Sequence, residues 1–249
     1  MQQVARLPRP LATAIVAALL ACAAAAWLIT IRQAASMEMG GVAIMSAGLF
    51  LVTWLVMMVA MMFPSVAPIT LAFASITRSR GEGYVPTALF VLGYIAVWVV
   101  SGLVPLAVVQ ALSQVWMATP SWLPRAGGAV IIVAGIYQFT PLKDTCLRAC
   151  RSPLGFLLTH NFGGGPRAAV RAGASHGLYC LGCCWALMAV LAVLGLMNIA
   201  WMALFAVVFF IEKNVRFGDA VPRLAGAASI VGGLAVVFWP SLLSVPAAT

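Results

Sequence analysis

The sequence predicts an all-α fold: a polytopic transmembrane helix bundle of about seven spans with a cytoplasmic N-terminus. Three observations carry that expectation. Hydrophobic residues make up 64% of the 249-residue chain and charged residues 8%, with a mean hydropathy of +1.08, whereas a soluble domain is nearer one-quarter charged. The apolar residues form runs close to the roughly 20 that a helix needs to cross the hydrocarbon layer. Lys and Arg, 14 against five Asp and Glu, lie between those runs rather than in one patch. That distribution excludes a nucleic-acid binder and fits a chain that orients itself by its basic loops.

The expected spans are residues 11–31, 42–63, 86–112, 126–141, 173–194, 197–212 and 224–243. The first follows a basic flank, as a secretory signal does, but "AAAAWLITI" extends the apolar run past Cys22, so it is read as an uncleaved span with Cys22 a small buried residue. The second has an apolar tail, "SVAPITLAFASI", that either continues it past Pro64 or lies along the interface. The fourth and sixth are short, so six spans is the alternative count. Between the third and fourth, "SQVWMATPSWLPR" has the Trp- and Pro-rich composition of an outer interface. Residues 142–172 form the longest polar segment and hold five basic residues, Cys146, Cys150 and His160. With seven spans and the N-terminus inside, only Arg32 and Arg125 of the 14 basic residues fall outside, and 142–172 is a cytoplasmic loop. Residues 1–249 then make a single integral membrane domain.

Sulfur is placed where packing does not require it. In "HGLYCLGCCWALM", His176, Cys180, Cys184 and Met188 recur every four residues and so share one helix face, with Cys183 beside them. All are soft or borderline metal ligands. In "WLVMMVAMMFPS", Met57 stacks with Met61 and Met58 with Met62, giving a thioether face about 140° wide at 100° per residue. Thioethers bind Cu(I) without burying a negative charge in lipid, and Pro64 cannot donate to the Ala60 carbonyl beside them. In "KDTCLRACRSP", Cys146 and Cys150 are again four apart, among Lys143, Arg148 and Arg151, whose charge favours the thiolate. The bland alternative for each is packing: cysteine is a small hydrophobe and methionine a gap-filler. Cys180 to Cys184 lie on the order of 10 to 17 Å into their span at 1.5 Å per residue, and Met57 to Met62 end theirs, so all three sets are expected in the cytoplasmic half of the bilayer. "MEM" (Met37 to Met39) faces outside and offers a weaker capture point. Gln138 is expected to find a partner in the bundle, and "EKN" (Glu212 to Asn214) to form a local or interhelical ion pair.

"WLVMMVAMMFPS", "GIYQFTPLKDTCLRACRSP" and "GLYCLGCCWALMAVLAVLGLMNIAWM" followed by "EK" resemble the bacterial family of predicted metal-binding integral membrane proteins, a domain of unknown function. The resemblance runs from about residue 54 to residue 213. It implies a metal site in a bacterial inner membrane, built from Met57, Met58, Met61, Met62, Cys146, Cys150, Cys180, Cys183 and Cys184.

Thiolate and thioether donors favour Cu(I) over hard cations; zinc suits the cysteines and histidine but not the methionines. The expected function is binding of a soft metal ion for transport, storage or delivery to a metallochaperone or metalloenzyme partner, rather than catalysis. No phosphate-binding glycine loop is present, which argues against a nucleotide-driven pump. One alternative is a membrane thiol oxidoreductase, disfavoured because its cysteines would be needed on the outer side. The other is a structural subunit whose sulfurs only pack. The sequence leaves the oligomeric state open.

Overall fold

The computed structural model describes residues 7–36, 45–118, 120–159, 164–196, 198–215 and 220–244. Its helices are α1 (Arg9–Ser36), α2 (Ala47–Ser79), α3 (Val85–Ser101), α4 (Leu103–Ala118), α5 (Leu123–Tyr137), α6 (Pro141–Arg151), α7 (Pro153–Thr159), α8 (Pro166–Leu194), α9 (Ile199–Asn214), α10 (Ala220–Phe238) and α11 (Ser241–Ser244). No strand occurs among the described residues, so the all-α expectation holds. Five stretches are long and apolar enough to cross a membrane: α1, α2, α3 with the start of α4, α8 and α10. A sixth is added if α5 and α6, bent by 64° at their junction, form one broken span. The expected span at 197–212 corresponds to α9, whose 16 residues fall short of the usual length.

Helix α2 settles the fate of the tail beyond Pro64. It continues as one helix through Pro64 and Pro68 to Ser79, about 50 Å at 1.5 Å per residue. The hydroxyls near the prolines bond back into the helix, Ser65 Oγ donating to the Met62 carbonyl at 2.9 Å and Thr70 Oγ1 to that of Val66 at 3.1 Å. The turn into α6 is equally local in origin. Thr140 is extended and its hydroxyl accepts from the Lys143 amide, while Pro141 occupies the first helical turn. Gln138 sits in that junction and donates to the Ala134 carbonyl of its own helix rather than to a neighbour. Cys22, expected to be buried, is exposed on α1.

Small residues set how closely the helices approach and in which direction they run. A methyl group on Gly226 would come within 3.0 Å of the Gly135 carbonyl oxygen, and one on Gly233 within 2.7 Å of that of Gly128, so α5 and α10 pack backbone to backbone and antiparallel. Gly93 meets Val170 and Ala174 while Gly177 meets Val97, so α3 and α8 run parallel. Stacking of Phe73 on Phe90 and the Trp54 indole bond to the Trp98 carbonyl make α2 antiparallel to α3. Gly127 beside Val193, with Tyr137 donating to the Gly182 carbonyl at 2.7 Å, makes α5 antiparallel to α8. Helices α8 and α10 therefore point the same way, and α9 between them returns the chain. That return starts at Gly195, where φ is +112°, and at Asn198, whose side chain caps α9 by accepting from the Trp201 amide.

Candidate metal centre

The sulfur residues lie on buried faces dictated by helical spacing. On α8 the buried positions include Ala169, Ala172, Gly173, His176, Gly177, Cys180, Cys183, Cys184, Leu187, Met188 and Leu191, a three-and-four alternation that turns one stripe into the bundle. On α6, Lys143, Cys146, Leu147 and Cys150 repeat the same spacing, with Cys150 half-buried, and Cys146 and Cys150 face α8. On α2, Met57, Met58, Met61 and Met62 are all buried. The thioether face and the cysteine stripe thus share one core.

Four thiols and one thioether meet. Cys150 Sγ lies 3.9 Å from Cys183 Sγ, which lies 3.4 Å from Cys184 Sγ and donates to the Cys180 carbonyl at 3.1 Å. Cys180 Sγ is 3.2 Å from the Tyr94 hydroxyl and 3.1 Å from Lys213 Nζ, and the same ammonium reaches Met62 Sδ at 3.4 Å. Cys146 adjoins the group through Gly182, where a methyl group would sit 2.6 Å from its sulfur. The other expected residues occupy the same core at other places. Met57, Met58 and Met61 line α2 above Met62, and Met188 lies one turn beyond Cys184. The His176 ring packs against Phe90, Tyr94 and Phe156, and its Nδ1 has no hydrogen-bond partner. Met37, Met39 and His160 lie outside the described residues.

The cations near these thiols are not those the sequence points to. Lys143 pairs with Glu212 of α9, its Nζ 2.9 Å from one carboxylate oxygen and 3.1 Å from the other, both side chains fully buried. Arg151 donates from Nε to the Glu212 carbonyl at 2.6 Å, and Arg148 pairs with Asp144 at the surface. Lys213 meets the thiols instead. Adjacent positions on a helix point about 100° apart, so Glu212 and Lys213 cannot share a partner: the expected interhelical pair forms through Glu212, and Lys213 turns to sulfur. A buried ammonium needs a compensating group, and of its two sulfur partners only Cys180, as thiolate, can carry the opposite charge.

Among the described residues no three or more His, Cys, Asp or Glu side chains are arranged as a ready metal set. The Sγ···Sγ separations of 3.9 and 3.4 Å are within the span of two thiolates bound to one ion, each about 2.3 Å from it. Their chemistry also fits a soft cation. Lys213 Nζ already puts a positive charge between a thiol and a thioether, and among the described residues no carboxylate, which would prefer a hard ion, joins the sulfurs. Residues 51–236 match the family model PpoB2, described as a copper chaperone. The chain belongs to this copper-chaperone family. The match encloses residues 54–213, the stretch that resembles predicted metal-binding membrane proteins, and so covers the thioether face, α6 and the whole cysteine stripe. No curated protein and no solved structure matches the chain.

Proposed function

We propose that this copper-chaperone family member binds Cu(I) inside the bilayer and delivers it to a copper-requiring protein at the cytoplasmic face of a bacterial inner membrane. Cys150, Cys180, Cys183, Cys184 and Met62 are the ligand set, with Cys146 beside it. The observation that carries the reading is the meeting of thiols from α6 and α8 with a thioether from α2 around one buried positive charge. Three helices contribute, so the site exists only when the bundle is assembled. Copper supplied as Cu(I) to the purified protein is expected to bind at about one ion per chain with only sulfur in its X-ray absorption first shell. Protein that stays copper-free in excess Cu(I), or copper surrounded by nitrogen and oxygen alone, overturns the proposal.

The delivery side depends on topology, for which we propose seven spans with the N-terminus in the cytoplasm. Support comes from the helix directions, because α10 runs parallel to α8 and α9 must return the chain between them. A 16-residue helix covers about 24 Å, which thins the local bilayer or leaves its ends at the interface. An odd count puts the C-terminus outside. Alkaline phosphatase fused after Ser244 is expected to be active, and an inactive fusion beside an active cytoplasmic reporter at the same position overturns the seven-span arrangement.

A further inference from the structure

Methionine is distributed unevenly among the helices. Helices α1, α3, α5 and α10 contain none, although all are strongly apolar. Helices α2, α8 and α9 contain six, Met57, Met58, Met61, Met62, Met188 and Met202, and all six are buried in one continuous core. These are the helices that supply Cys180, Met62 and Lys213. Among the other helices only α4 carries one, Met117, so methionine is concentrated on the helices of the thiol site beyond what gap-filling requires.

The directions of the three helices fix the heights of the sulfurs. Helix α2 runs antiparallel to α8, since it opposes α3 and α3 parallels α8. Helix α9 also runs antiparallel to α8, through the turn at residues 195–198 and the return of Lys213 to Cys180. From the level of Cys180 and Met62, each residue then adds about 1.5 Å toward the α8–α9 turn. Met58 and Cys184 lie about 6 Å along, Met188 about 12 Å, and Met202 about 16 Å. No step in the series exceeds roughly one helical turn.

We propose that this series is a thioether column along which Cu(I) passes between the α8–α9 side of the membrane and the thiol site, with Met202 and Met188 as way stations rather than final ligands. The proposal rests on the thiol site being the copper site. Thioethers suit a path because they are neutral and hold Cu(I) less firmly than thiolates, so each transfer exchanges one neutral ligand for another without moving charge other than the ion's own. Conduction requires binding favourable enough to enter and weak enough to leave.

The test uses the full chain in detergent and Cu(I) buffered by a chelator, with loading followed by the sulfur-to-copper ultraviolet absorbance. Met188→Leu with Met202→Leu keeps the shape and apolarity of the core. The double variant is expected to load and unload roughly tenfold more slowly than wild type, with the equilibrium affinity unchanged. Wild-type loading and unloading rates in the double variant overturn the column. Slow rates together with an equally weakened affinity also overturn it, because the methionines would then act on the site and not on the path. If wild type itself takes up no Cu(I), the copper site has failed, and that result is distinguishable from failure of the column alone.

Discussion

Replacing Cys180, Cys183 and Cys184 together with Ala is expected to remove essentially all bound Cu(I) while leaving the helical bundle folded. The three thiols are fully or almost fully buried on α8, and Cys→Ala deletes one atom from each, a small loss of packing; because Cys180→Ala also leaves the buried Lys213 ammonium without its compensating sulfur, the triple variant is made together with Lys213→Met, which removes the orphaned charge. Removing an outer partner of a metal ligand already costs about 10- to 100-fold in affinity. Loss of a ligand should therefore exceed about 100-fold, and loss of three leaves only Cys150 and Met62. The single variants should rank by position in the network. Cys183 is central, since its sulfur approaches those of both Cys150 and Cys184, and Cys183→Ala should be the most damaging. Cys146→Ala should be mild, because that thiol packs on Gly182 at the edge of the group. Competition against a Cu(I) chelator measures the series, and a triple variant that keeps wild-type affinity rules out the thiol cluster.

The parts of this site written in local spacing were legible in the sequence, and the parts created by packing were not. Cysteines four apart, on α8 and on α6 alike, share a face whatever surrounds the helix. What spacing cannot give is which helix faces which. The sequence places the sulfurs in a common half of the bilayer, but that Met62 and not Met57 reaches the cation near Cys180 depends on how α2 and α8 flank α9, whose Lys213 touches both sulfurs. Lys213 was missed for a different reason. A basic residue at the end of a short apolar run is read as a topology signal, and its burial against sulfur becomes apparent only when α9 packs along α2 and α8. His176 shows the converse. Its spacing is that of a ligand, yet Phe90, Tyr94 and Phe156 surround its ring, and aromatic neighbours leave no signature in a single helix's periodicity.

The Lys143–Glu212 pair is where the second large effect is expected. It joins α6, which carries Cys146 and Cys150, to α9, which carries Lys213, and neither side chain reaches solvent. Lys143→Met should destabilise the protein by about 3–5 kcal/mol, because the Glu212 carboxylate is left buried and unpaired. Most of that figure is the cost of the orphaned charge rather than the strength of the pair, so the double variant Lys143→Met with Glu212→Leu should recover most of the lost stability. The copper site separates the two variants further. In the single variant α6 loses its anchor to α9, so Cys150 is no longer held beside Cys183 and Cu(I) affinity should fall along with stability. In the double variant stability returns, but the ionic link that fixes the register of α6 against α9 does not. Midpoints of denaturant titration in detergent and chelator competition on the same samples read the two quantities independently. A double variant as unstable as the single one would mean that the attraction itself, and not relief of an uncompensated charge, holds these helices together.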